Sequence, residues 1–178
     1  MNDRGIWTTK EEVSTHHFDR PLCDAIITEC REFKVKTIAD IGCGDGSYTK
    51  YLNDNGFQCA GFDGSPMTPF FCTITDFSEP VCIGKYDLLL SLEVGEHIPQ
   101  EFEQVFLDNL CNAPILILSW AIPGQGGTGH VNCRDNSYII QQMEQRGYGL
   151  DNLNTSYLIF QSTLSWFKNT LMVFQWSK

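Results

Sequence analysis

Two groups of residues in this sequence have the types and spacing needed for chemistry. The first is Asp40-Ile41-Gly42-Cys43-Gly44-Asp45-Gly46, followed by Asp63-Gly64 and Asp76-Phe77. Small residues in a turn let the backbone approach a ligand closely, and a helix starting just beyond offers free N–H groups. The spacing is Gly-x-Gly-x-Gly with an acid two residues ahead, not the Gly-x-Gly-x-x-Gly that leaves a helix start open to a dinucleotide pyrophosphate. Taken alone, such a turn is also compatible with a tight connection that holds nothing. The second group is Glu93-x-x-Glu96-His97, with His130 further on. Two carboxylates with imidazoles suit Mg²⁺, Mn²⁺ or Zn²⁺, according to geometry. The plainer alternative sets Glu96 and His97 at a helix start, where an acid complements the dipole.

The elements that must position these groups follow from hydrophobic patterning. Residues 19–33 predict a helix capped by Asp19, with Pro21 in its first turn and Leu22, Ile26, Cys30 and Phe33 on one face. Thr37–Ile41 predicts a short strand running into the glycine turn, with a short helix from Ser47. Gln58–Phe62 predicts a second strand, closed by Asp63-Gly64. Pro66 and Pro69 exclude a long helix from Ser65 to Phe71, and Phe71–Thr75 predicts a short strand. Tyr86–Leu92 is apolar on both faces, as a central parallel strand is. A helix from Pro99 to about Leu110, a buried strand at Ile115–Trp120 and a helix over 136–146 stopped by Gly147 come next. The chain ends with a brief strand at Tyr148–Leu150, a short helical insert and a last strand at Leu171–Trp176; Trp166-Phe167 is expected to pack these last strands. Strands alternating with helices imply an α/β, doubly wound, mostly parallel sheet. In such sheets ligands bind outside the carboxyl ends of the strands, where both groups fall.

At 178 residues the chain fits one domain that can bury a core without staples. No apolar run is long enough for a membrane span, and the N-terminal residues lack the pattern of a secretion signal. The eight cysteines contain no Cys-x-x-Cys pair, and several sit in apolar runs as small hydrophobes. A reduced, cytoplasmic protein is expected. The net charge is −10, and between Tyr51 and Cys133 the only basic side chain is Lys85 against ten acids. Nucleic-acid binding needs clustered Lys and Arg, so this field speaks against that partner and for a neutral or cationic small molecule, or a metal cation.

Four segments in order, Asp40–Gly46, Asp63, Asp76-Phe77 and Tyr86–Pro99, resemble the motifs of class I S-adenosylmethionine-dependent methyltransferases, covering about residues 37–120. The resemblance implies a seven-stranded Rossmann-like sheet, with the helix after the second strand reduced or absent because only Ser65–Phe70 is available. It divides one domain, 1–178, into an N-terminal cap and helix (1–36), a cofactor-binding core (37–120) and an acceptor loop with C-terminal strands (121–178). It also implies that Asp40, Gly42, Cys43, Gly44, Asp63, Gly64, Asp76, Phe77 and Leu92 hold S-adenosylmethionine. Asp63 would accept from both ribose hydroxyls and Asp76 from the adenine amino group, while Asp40 and the Leu92 carbonyl would meet the ammonium group.

Methyl transfer needs an aligned nucleophile and excluded water, and a base helps when the acceptor is a hydroxyl. His130, His97, Glu93 and Glu96 are the candidates, with His16 and His17 further out. The Glu-x-x-Glu-His element is similar to that of ubiquinone-pathway and small-RNA O-methyltransferases, some of which hold a divalent metal there. Glu93, Glu96, His97 and His130 are therefore expected metal ligands, with a metal-free His130 base as the alternative. The loop Pro123–Asn132 and Trp120 are expected over the acceptor pocket, and Trp7 and His17 at its mouth. The expected activity is methyl transfer to a small-molecule acceptor, oxygen preferred. The alternatives are an RNA 2′-O-methyltransferase and a catalytically idle cofactor-binding subunit.

Overall fold

The computed structural model describes residues 1–177, and the core of those residues is a seven-stranded sheet in the order β3-β2-β1-β4-β5-β7-β6. The strands are β1 (Thr37–Ile41), β2 (Gln58–Asp63), β3 (Thr73–Ile74), β4 (Leu88–Leu92), β5 (Ile115–Ser119), β6 (Tyr148–Leu150) and β7 (Leu171–Trp176). β1 to β5 pair in parallel, whereas β7 runs antiparallel to both β5 and β6. The doubly wound sheet expected from the sequence is thus present.

Strand alternation divides the core into two layers. Ile38, Leu88, Leu90 and Ile117 face α2 (Arg20–Glu32), α3 (Ser47–Asp54) and α6 (Asn152–Gln161). Ala39, Ile41, Leu89, Leu116 and Leu118 face α4 (Glu103–Asn109) and α5 (Asn136–Gln145). All five residues of β4 and of β5 are buried, because helices cover both faces of these central strands. Asp19 caps α2 as expected, accepting from Leu22 N at 3.2 Å, and its other oxygen accepts from Thr163 N and Leu164 N of the C-terminal insert.

Several elements differ in extent from the expectation. The strand of the fourth motif begins at Leu88, because Asp87 turns its carboxylate to Lys36 N, Thr37 N and Thr37 Oγ1 and closes the base of β1. The helix expected from Pro99 is a 3-10 turn, Gln100–Phe102, followed by α4. Ser65–Cys72 holds turns and no helix, in keeping with its two prolines, and β3 keeps only two residues. Residues 75–87 also contain no helix, so the β2–β3 edge lacks helical cover on its second connection too. Two short helices were not expected: α1 (Lys10–Val13) and α7 (Phe167–Thr170). No helix among the described residues is long and apolar enough to cross a membrane.

Candidate active site

The turn after β1 reverses through left-handed backbone at Gly42 (φ 74°) and Gly44 (φ 53°). A side chain on Gly42 would lie 2.3 Å from Val94 Cγ2, so glycine is required both for the conformation and for the close approach of the loop after β4. Gly42 N and Cys43 N donate to Phe62 O, and Gly44 N donates to Asp63 Oδ2 at 2.8 Å. The other Asp63 oxygen accepts from Ser65 N at 2.7 Å. Asp63 therefore ties the turn to the end of β2, with its carboxylate at the cleft.

Two cavities open here. One, of about 70 Å³, is lined by Gly42, Gly44, Asp63, Gly64, Asp76 and Phe77 among others. The other, of about 310 Å³, is lined by Leu92, Gln125, His130, Trp166 and Phe167 among others. Trp7, His16, Glu93 and His97 line both, so the cavities are adjoining ends of one cleft. His16 Nδ1 lies 3.3 Å from Asp45 Oδ1, and the His17 ring lies 5.3 Å from that of Trp166, tilted by 56°. Trp166 and Phe167 pack with Leu171 and Val173 of β7 as expected, and they also line the larger cavity.

Two residues expected at the cofactor lie outside both linings. Strand alternation turns Asp40 onto the α3 face, where it is buried and accepts from Thr49 Oγ1 at 2.7 Å. Burial raises its carboxyl to about 6, against the Thr49 hydrogen bond. Cys43 likewise points beneath the turn, with its Sγ 3.6 Å from Thr68 Oγ1.

The N-terminal segment contributes residues that local patterning missed. Arg4 Nη1 donates to Asp76 Oδ2 at 2.8 Å and pairs with Glu79 at 2.8 Å. Ile6 lies where a side chain on Gly64 would stand, 2.7 Å from its Cγ1. Asp76 also accepts from Ser78 N and Oγ; its burial is outweighed by these bonds and by Arg4, so its carboxyl titrates below the usual range. Phe77 is buried, edge-on to Phe62 at 6.4 Å.

At the reacting end, Glu93 adopts φ 54°, a conformation rare outside glycine. Its N donates to Ser119 Oγ at 2.8 Å, and one carboxylate oxygen accepts from Gln125. Glu96 is fully buried, and neither of its oxygens has a hydrogen-bond partner. Burial, and then the Glu93 charge, push its carboxyl well above the usual range, and burial raises Glu93 as well. His130 Nε2 lies 3.9 Å from Glu96 Oε1, and the His97 and His130 rings are 5.2 Å apart. Each ring turns Nδ1 to a carbonyl, His97 to Gly129 O and His130 to Gln125 O, both at 3.2 Å. With the proton on Nδ1, each Nε2 keeps a free lone pair. Burial pulls His97 down to about 4. One oxygen of Glu96 and one ring nitrogen each from His97 and His130 lie within 4.8 Å of one another. Three of the four expected metal ligands thus converge; Glu93 stands outside that compact set, although its Oε1 also lacks a partner.

This fold, with a glycine turn after β1 and acids at the ends of β2 and β3, is that of the class I S-adenosylmethionine-dependent methyltransferases. The chain belongs to the family described as the methyltransferase domain, whose model matches residues 15–113. It is 30% identical over 142 residues to the chloroplastic tocopherol O-methyltransferase of Arabidopsis thaliana, covering 67% of this chain and 38% of that protein. It is 29% identical over 124 residues to a probable chloroplastic tocopherol O-methyltransferase of Oryza sativa subsp. japonica, covering 57% and 34%. The chain spans about a third of the length of these curated relatives. Magnesium protoporphyrin IX methyltransferase from Synechocystis PCC 6803, solved with bound S-adenosylhomocysteine, superposes with a TM-score of 0.69 at 17% identity, covering 94% of this chain and 82% of that one.

Proposed function

We propose that this chain transfers the methyl group of S-adenosylmethionine to an oxygen of a small-molecule acceptor, beside a divalent cation. The observation that carries this reading is the shared lining of the two cavities. A cofactor with its ribose at Asp63 and its adenine between Gly64 and Phe77 would bring its sulfonium past Glu93 and His97 into the larger cavity. Leu92 lines that larger end, where its carbonyl can meet the ammonium group. The relatives named as tocopherol O-methyltransferases support an organic acceptor and an oxygen atom.

No Lys or Arg lines the larger cavity, while Glu93 does. That favours a neutral or cationic acceptor over a nucleic acid. A cytoplasmic setting is part of the same reading, although the named relatives are chloroplastic.

The donor set fits a cation. Glu96 holds two buried oxygens without partners, a costly arrangement for a carboxylate unless a cation or proton satisfies it. Glu96, His97 and His130 would hold the ion, with Glu93 adjoining, and the ion would polarise an acceptor hydroxyl. Glu93 would then take the proton, His130 serving as the base only if no ion is held; His97 supports the roof against Trp7 at 5.2 Å, and the glycine-rich loop excludes water.

Incubation with S-adenosylmethionine carrying a labelled methyl group and a panel of small hydroxylated acceptors tests the reading, first with the chain alone and then with cell extract. Transfer by the chain alone supports it. Tight S-adenosylhomocysteine binding with transfer only when a partner is added would convert the reading to that of a cofactor-binding subunit.

A further inference from the structure

The space above Gly61 on the α3 face of the sheet is shared by two thiols. A Cβ at Gly61 would lie 2.7 Å from Cys72 Sγ and 3.1 Å from Cys43 Sγ. Gly61 sits in β2, between β1 and β3, so the absent side chain leaves the gap through which Cys43, two residues beyond β1, and Cys72, just before β3, face each other. An ordinary class I helix after β2 would lie over this face; here Ser65–Cys72 is a run of turns. Cys72 N is held only by Pro69 O, at 2.9 Å, and β3 beyond it has two register pairs. Little therefore resists a small movement of Cys72 toward Cys43.

We propose that Cys43 and Cys72 form a reversible disulfide, a peroxide-oxidation site that fastens the glycine turn to the edge strand across Gly61. The two thiols are suited to different parts. Cys72 is partly exposed, whereas Cys43 is 2% exposed. The facing Cys43 thiol draws Cys72 below its ordinary range, while that same contact and burial push Cys43 up. Thiolate character and access together select the sulfur that reacts first.

The sequence of bonds follows. The Cys72 thiolate attacks one oxygen of hydrogen peroxide, the O–O bond breaks, and the departing hydroxide takes a proton to become water. Cys72 is then a sulfenic acid. The Cys43 sulfur attacks the Cys72 sulfur, the S–O bond breaks, and the leaving hydroxide takes the Cys43 proton as a second water. Two thiols are oxidised and one peroxide is reduced. A dithiol reductant reverses the step.

The test is peroxide treatment of the reduced protein, alkylation of remaining thiols, tryptic digestion and mass spectrometry. Thr37–Lys50 contains Cys43 as its only cysteine, and Tyr51–Lys85 contains Cys59, Cys72 and Cys82. The expected product is these two peptides joined, short by two hydrogen atoms, with fragmentation assigning the bond to Cys72 and dithiothreitol releasing it. Gly61→Ala, which keeps both thiols but sets a methyl group between them, should lose the link. Cys43→Ala should leave a Cys72 sulfenic acid that dimedone traps, so the proposal stays open to refutation even if Gly61→Ala fails to fold. A bond to Cys59 or Cys82, sulfinic acid at Cys72 with Cys43 still free, or no dimedone adduct in Cys43→Ala each overturns the proposal.

Discussion

Arg134 Nε donates to Glu103 Oε2 at 2.6 Å, and through this pair the loop carrying His130 is fastened to α4. Asn132 Nδ2 donates to the same oxygen at 3.0 Å, and the Tyr138 hydroxyl donates to the other. Trp120 Nε1 in turn donates to Asn132 O at 2.6 Å. The burial of Glu103 is thus outweighed, and its carboxyl titrates below the usual range. Glu103→Gln should cost about 1–3 kcal/mol in urea unfolding, since Arg134 loses its charged acceptor. In catalysis it should raise the acceptor KM and leave S-adenosylhomocysteine affinity unchanged. An equal loss in both would mean that Glu103 supports the whole fold rather than the loop.

Asp63→Ala should weaken cofactor binding more than any other single change at the smaller cavity. It removes the acceptor of Gly44 N and the oxygens proposed for the ribose, at a cost of about 1–3 kcal/mol. Calorimetry with S-adenosylhomocysteine measures the loss, and NAD is the control. Binding of NAD with no response to S-adenosylhomocysteine would falsify the cofactor assignment.

Activity should fall with a chelator and return with one or two particular divalent metals. Glu96→Ala and His130→Ala should each lose that response and keep cofactor affinity, because neither residue lines the smaller cavity. If His130 acts as a metal-free base, the chelator does nothing and His130→Ala lowers turnover alone. Full activity after exhaustive chelation, with no metal found by elemental analysis, ends the cation reading and leaves methyl transfer intact.

Asp40 should make folding stability depend on pH. Its folded pKa is raised to about 6 from an ordinary 3.8, so the native state holds its proton more tightly than the unfolded chain. Its contribution is most favourable below the unfolded value, declines as pH rises through the folded one, and is level above. Asp40→Asn keeps an acceptor for the Thr49 hydroxyl and removes the titration. The stability of the wild type relative to this variant should drop by roughly 2 kcal/mol between pH 4 and pH 7. A constant difference across that range would show that Asp40 is not desolvated as the structure has it.

What the sequence displayed was whatever local spacing controls. The central strands β4 and β5 are apolar runs bounded by polar ends, the prolines at 66 and 69 announce the missing helix, and the glycine turn carries its own signature. The direction of Asp40 was in principle available too, from the alternation of β1 that buries Ile38 and Asp40 on one face. Contacts made across long stretches of chain left no such trace. Arg4 meets Asp76 at a separation of 72 residues, and neither neighbourhood has a period that pairs them. The clamp of Glu103 by Asn132, Arg134 and Tyr138 depends on where α4 and α5 lie in the fold, which only tertiary packing decides. Of the expected set Glu93, Glu96, His97 and His130, spacing alone joined the first three; the structure brings one ligand atom each of Glu96, His97 and His130 within 4.8 Å of one another, with Glu96 of the 3-10 turn Gly95–His97 buried.

The insertion of β7 between β5 and β6 sets an order on assembly. β6 has no sheet neighbour other than β7 among the described residues, and β7 begins only at Leu171. On a ribosome, β1 to β5 can emerge and pair while β6 is still without a partner, and the edge of β5, buried along all five residues in the finished fold, stays open meanwhile. Synthesis at about 5–20 residues per second makes that interval last seconds. An unpaired apolar edge of this kind is what chaperones and neighbouring nascent chains bind. A chain stalled before Leu171 would therefore present the cofactor half of the sheet with a sticky flank, and its loss to aggregation would be decided by the speed of translation through the last helices.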